Sequence, residues 1–127
     1  MLDHITFSVT NVARSKAFYD AALKPLGIGV LFEVTPEQSG GAHFLGYGEQ
    51  RPYFWIGSGD GLKGRLHVAF TAADRATVDA FYRAAMEAGA KDFGAPGLRP
   101  HYHANYYGAF VLDPDGHNIE AVCHAPA

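Results

Sequence analysis

Apolar and polar positions alternate along Leu2–Val9, with Ile5, Phe7 and Val9 on one side and His4, Thr6 and Ser8 on the other. That two-residue period predicts a half-buried strand. Asn11 then offers an N-cap for a helix through Lys24, with Phe18, Ala22 and Leu23 near one face. Pro25 and Gly27 end it. Ile28–Val34 reads as a strand, Pro36–Gly41 as a loop, and His43–Tyr47 and Tyr53–Ile56 as two short strands joined by a turn. The order is βαβββ.

The pattern then repeats. Arg65–Thr71 alternates as a strand, with Val68 and Phe70 opposite His67, Ala69 and Thr71. Asp74 caps a helix whose Val78, Phe81, Tyr82 and Ala85 fall at helical spacing, and Gly89 stops it. Ala90–Phe93 is a short strand, Gly94–Asn105 a loop, and Tyr106–Leu112 and Asn118–His124 a hairpin across the turn Asp113-Pro114-Asp115-Gly116. His4, Phe18-Tyr19 and Ala21-Ala22 return as His67, Phe81-Tyr82 and Ala84-Ala85, all 63 residues later. A constant offset of this kind marks a duplicated supersecondary unit. The predicted architecture is α+β: two tandem βαβββ modules forming a curved, mostly antiparallel half-barrel with helices outside. The modules span about 1–57 and 65–127, joined by a glycine-rich linker at 58–64, within a single domain covering 1–127.

Two such units in 127 residues are each marginal alone and must share a core. A net charge of −3 without a Lys/Arg cluster argues against nucleic acid and membrane surfaces as partners, and leaves a small molecule or another protein. Cys123 is the only cysteine, so no intrachain disulfide or cysteine zinc cluster forms, in keeping with a cytoplasmic location. No signal peptide or membrane span is expected from the N-terminal segment or elsewhere.

The duplication singles out His4 and His67, which open equivalent strands; they are either a shared site or two hydrogen-bonded strand histidines. Glu120 lies in the otherwise apolar run Asn118–Val122 and, if buried, needs a cation or hydrogen-bond donors. Two histidines and a carboxylate form a common ligand set for divalent metals. The segment from Arg99 to Tyr107 concentrates further polar chemistry. His101 and His103 share a face if it is extended, Arg99 suits an oxyanion, and Tyr106 or Tyr107 can donate a proton or stabilise charge. Each also has a simpler account as a solvated loop residue. His117 sits in the turn and is expected to be exposed.

Paired βαβββ modules, the openings Asp3-His4-Ile5-Thr6-Phe7 and Leu66-His67-Val68-Ala69-Phe70, the Phe-Tyr helices and the run DPDGHNIEAV at 113–122 together resemble the vicinal oxygen chelate superfamily. That group includes glyoxalase I, bleomycin-resistance proteins, fosfomycin-resistance transferases and extradiol dioxygenases. The resemblance implies that His4, His67 and Glu120 hold a divalent ion (Zn, Ni, Mn or Fe) in a cup. It also implies a homodimer, in which modules from two subunits can complete each cup. The fourth corner departs from the symmetric glyoxalase pattern: aligning the copies sets Trp55 opposite Glu120 and Phe54 opposite Ile119, and no carboxylate lies within Tyr53–Ile56. The function implied is a metal-dependent lyase, isomerase or transferase acting on vicinal oxygens. Glu120, His103, Tyr106 and Tyr107 are its candidate catalytic groups, and Trp55, Phe54, Arg99 and His101 its candidate substrate contacts. A metal-free drug-binding protein and an Fe(II) extradiol-type dioxygenase are the alternatives.

Overall fold

The computed structural model describes all 127 residues. Eight strands and three α-helices follow in the order β1 (Ile5–Val9), α1 (Val12–Ala22), β2 (Gly29–Val34), α2 (Pro36–Ser39), β3 (Phe44–Gly48), β4 (Pro52–Ser58), β5 (His67–Thr71), α3 (Arg75–Glu87), β6 (Lys91–Leu98), β7 (Tyr107–Leu112) and β8 (Asn118–Cys123). They build two four-stranded sheets of identical topology, β1-β4-β3-β2 and β5-β8-β7-β6. Each sheet is mixed. The module's first strand pairs in parallel with its last, and the remaining neighbours are antiparallel.

Local chemistry explains the helices. Asn11 and Asp74 accept hydrogen bonds from the backbone N–H of Arg14 and Thr77, satisfying amides that a helix start leaves unpaired. α1 stops at Ala22, earlier than its apolar pattern suggests, because Pro25 turns the chain into a 3-10 turn over Lys24–Leu26 closed by Gly27 in the left-handed region. The Pro36–Gly41 segment contains the one-turn helix α2, held by a reciprocal Thr35–Gln38 capping box.

The expected strand Ala90–Phe93 is longer than its sequence implies. β6 runs from Lys91 to Leu98, through most of the segment read as loop. Its pairing with β7 shifts register between Asp92 and Gly94 and again between Gly94 and Gly97. Pro96 is tolerated there because a bulged strand need not supply every ladder amide.

One core unites the modules. Phe7, Val9, Tyr47, Phe54 and Ile56 of the first sheet and Phe70, Val111, Ile119 and Ala121 of the second join Phe18, Tyr19, Phe81 and Ala85 of the helices in one buried cluster. The Phe54 and Phe70 rings meet edge to face at 5.1 Å. Asp115 ties the modules together outside this core, accepting from the Thr10 amide at 3.0 Å, the Thr10 hydroxyl at 2.7 Å and Arg14 at 2.9 Å. With every second residue committed to this core, the alternate set (Thr6, Ser8 and Trp55 in one sheet, His67, Ala69 and Glu120 in the other) lies on the sheets' open faces.

Candidate functional site

Strand pairing fixes the equivalence of the two open faces. Trp55 is paired with Thr6 and Glu120 with Ala69, and Thr6 and Ala69 stand 63 residues apart. Trp55 therefore occupies the corner that Glu120 occupies in the second sheet. Its ring packs on Phe32 at 5.9 Å between centroids. Gly46 makes room for it, since a Cβ there would come within 2.8 Å of the indole.

Glu120 is fully buried although it lies on the open face. His67 Nε2 is 2.8 Å from its Oε1, and the Tyr106 hydroxyl donates to its Oε2. Burial, followed by the Glu120 contact, pushes the Tyr106 phenol well above its ordinary value. It therefore remains a proton donor at neutral pH. Gly108 leaves space for this arrangement, because a Cβ there would sit 3.2 Å from both Glu120 Oε2 and the Tyr106 ring.

His67 is half exposed and stands at the edge of a cleft of about 400 Å³ lined by Phe93, Gly94, Arg99, Tyr102, Phe110 and Asn118. Arg99 donates to the carbonyls of Gly97 and Ala95, each at 2.8 Å, and lies 5.4 Å over the Phe110 ring.

The other expected positions separate. His4 is half exposed, bonded to Asp3 at 2.7 Å, and lines a small cleft of about 160 Å³ where the start of β1 meets β5. Within the chain, no three His, Cys, Asp or Glu side chains converge as a metal site, so His4 does not reach the His67–Glu120 pair. Phe54 is fully buried against Phe7, Tyr19, Tyr47 and Phe70, which makes it a core residue beneath that small cleft. Tyr107 turns to the helix side, where its hydroxyl donates to Asp79 at 2.7 Å and Arg75 lies over its ring. His101 and His103 are exposed; His101 packs on Tyr102 and His103 on His124, with ring centroids 4.3 and 5.4 Å apart.

His117 overturns its expectation of exposure. It is fully buried, its Nδ1 accepts the Leu66 amide at 2.9 Å, and its ring meets Phe7 edge-on at 5.5 Å. It thereby fixes the backbone immediately before His67. Nothing local in the DPDGHN run signals this, since the groups it serves lie far away in sequence.

The metal expectation can be tested on the donor atoms. Two ligand atoms about 2.1 Å from an ion and at right angles around it stand about 3.0 Å apart. The 2.8 Å between His67 Nε2 and Glu120 Oε1 matches that spacing. The pair fits two of the three expected ligand positions of a divalent-metal site and leaves the third ligand to come from elsewhere.

Paired βαβββ sheets with a His–Glu pair on one open face define a protein of the glyoxalase-like class. The chain belongs to the Glyoxalase/Bleomycin resistance protein/Dioxygenase superfamily, whose family model matches residues 1–121. A glyoxalase/bleomycin resistance protein from Albidiferax ferrireducens T118 is 28% identical, with a TM-score of 0.74 and 98% of both chains covered. Glyoxalase I from Zea mays is 24% identical at a TM-score of 0.70; the match covers 97% of this chain and 46% of that one. A mutant fosfomycin resistance protein from Listeria monocytogenes, solved with Mn(II) and 1S,2S-dihydroxypropylphosphonic acid, shares the fold at 19% identity and a TM-score of 0.68, covering 96% and 88% of the two chains. No functionally curated protein matches in sequence.

Proposed function

We propose that this protein is a divalent-metal-dependent enzyme of its superfamily that acts on a small molecule with adjacent oxygens, and that it works as a homodimer. The observation that carries this reading is the fully buried Glu120 on an open sheet face, with His67 Nε2 at 2.8 Å and Tyr106 on its other oxygen. Burying a carboxylate is costly without compensation, and this one is held at the spacing of adjacent metal ligands. His67 and Glu120 would supply two ligands, and His4 of the partner subunit the third. The intersubunit arrangement is supported by the exposure of His4 and by its separation from the other two within the chain.

A bound divalent ion would supply Lewis-acid stabilisation of negative charge developing on substrate oxygen. The chain's own groups do the rest. Tyr106 donates its hydroxyl to Glu120 and keeps its proton at neutral pH, which holds the carboxylate in place beside His67. Phe110 and Phe93 give the cleft beside His67 apolar walls. A free, buried Cys123 and the lack of a helix long and apolar enough to span a membrane accord with a cytoplasmic setting.

The test is metal analysis of protein purified without chelator, repeated on His67→Ala, Glu120→Ala and His4→Ala. Stoichiometric metal in the parent and loss in each variant supports the reading. Metal-free protein with no affinity for added Zn, Ni, Mn or Fe refutes it. One observation favours a second reading, a metal-free ligand-binding protein: both Glu120 oxygens already have donors, while the opposite corner is the Trp55–Phe32 apolar wall. Quenching of Trp55 fluorescence by hydrophobic ligands, unchanged by EDTA and by His4→Ala, would select it.

A further inference from the structure

The cleft beside His67 has a chemical character that the His–Glu pair does not explain. Arg99 joins none of the chain's ion pairs. Two of its five N–H donors are spent on the Gly97 and Ala95 carbonyls, which fixes the guanidinium plane. The remaining three donors have no partner within the chain, and no carboxylate pairs with the guanidinium. Gly94 and Gly97 make the seat for it: a Cβ on either would lie 3.2 Å from a terminal guanidinium nitrogen. Phe110 supports it from one side at 5.4 Å. A second guanidinium outside any ion pair, Arg65, donates to the Gly116 carbonyl at 3.0 Å and lies 4.7 Å over Phe93, which also lines the cleft.

Asn118 provides an independent sign of a ligand. It lines the same cleft and pairs with His67 across β5 and β8. Its Oδ1 is buried and has no hydrogen-bond donor. A buried acceptor without a partner costs roughly 1–3 kcal/mol, a cost that a ligand carrying a hydroxyl or N–H would remove.

We propose that the Arg99–Asn118 wall of this cleft binds the oxyanion end of the substrate, a carboxylate or a phosphonate/phosphate, with a neighbouring hydroxyl or N–H donating to Asn118 Oδ1. Arg99 offers a fixed cationic fork, and Asn118 reads the donor beside it. The substrate class is therefore a small hydroxylated or aminated acid, oriented with its oxyanion on Arg99 and its reacting oxygens toward His67. This assignment rests on the reading of the open face as a substrate cup, but it requires no metal for the anion to bind.

The experiment titrates the protein, both EDTA-treated and Mn(II)-loaded, with glycolate and with hydroxymethylphosphonate. Side-chain amide spectra follow the Arg99 Nε–H and Asn118 resonances in the EDTA-treated form, and calorimetry gives affinity in both. The expected result is saturable binding that shifts both resonances, weakened roughly tenfold or more in Arg99→Ala and less in Arg99→Lys. The stronger of the two ligands identifies the oxyanion as carboxylate or phosphonate. The inference is overturned if neither anion moves Arg99 and Asn118, or if Arg99→Ala, shown folded by its thermal transition, binds within about twofold of the parent. Metal content of the same samples separates the claims: metal without anion binding refutes this inference alone, and anion binding without metal refutes the metal reading alone.

Discussion

Tyr106→Phe removes one oxygen atom from the candidate site and leaves the ring in place. The deleted hydroxyl donates to Glu120 Oε2, and Glu120 has no solvent exposure through which water can take over. A hydrogen bond to a charged acceptor contributes about 1.5–3 kcal/mol. The partial exposure of Tyr106 argues for the lower part of that range, and the burial of Glu120 for the upper. The expected loss is about 2 kcal/mol. With a urea slope of about 1.5 kcal/mol/M, the unfolding midpoint falls by about 1.3 M. The assay is urea denaturation followed by Trp55 fluorescence and circular dichroism, at fixed protein concentration and with EDTA, because dimerisation and metal binding both shift apparent stability. Tyr102→Phe is the control, since Tyr102 is exposed and its hydroxyl makes no hydrogen bond within the chain. A Tyr106→Phe midpoint indistinguishable from that of the control would refute the idea that Tyr106 sustains the buried carboxylate.

Other consequences follow from the same geometry. Burial and, secondarily, the carboxylates of Asp113 and Asp20 raise the phenols of Tyr19 and Tyr47 above 10.0. The protonated forms are favoured by folding, so this stability is complete below pH 10 and is lost as pH rises toward the raised values. Absorbance at alkaline pH should show both rings ionising only with unfolding; ionisation of all seven tyrosines near pH 10 with intact circular dichroism would contradict it. Burial works against the Asp115 charge, but bonds from Thr10 and Arg14 outweigh it and hold its carboxyl below 3.8. Its contribution is therefore present above that value and lost as pH falls through the lowered one. Asp115→Asn should cost about 1–3 kcal/mol at pH 7 and flatten the acid limb of the stability profile below about pH 4. Gly108→Ala pushes a Cβ to 3.2 Å from Glu120 Oε2 and the Tyr106 ring. It should destabilise by about 1 kcal/mol and weaken metal uptake, read by denaturation and metal analysis.

Alternation and duplication made most of the fold legible. The Ile5–Phe7–Val9 and Val68–Phe70 sets fixed which face of each sheet is buried, and aligning the final strands of the two copies placed Trp55 against Glu120 before any pairing was known. The same parity rule separates Tyr106 from Tyr107 and sends Phe54 into the core with Ile56, so those two assignments were readable from Ala109, Val111 and Ile56. β6 was not legible because Gly94, Pro96 and Gly97 break its period, and its strand character comes from pairing with β7 across register shifts. His117 escaped for a different reason: a turn position says nothing of a distant amide that needs an acceptor, and Leu66 supplies it. The convergence of His4 with His67 was beyond the sequence as well. An internal repeat sets equivalent positions within each module, while whether two open faces meet in one chain or across two depends on how the modules pack.

The proposed intersubunit site can be tested directly by mixing. His4→Ala and Glu120→Ala chains are co-refolded in equal amounts and their metal content is compared with that of each variant alone. If His4 of one subunit joins His67 and Glu120 of the other, each mixed dimer regains one intact site. Random pairing then restores roughly a quarter of the parent's metal. Metal content no higher in the mixture than in the separate variants, with mixed dimers demonstrated by mass spectrometry, would contradict the shared site.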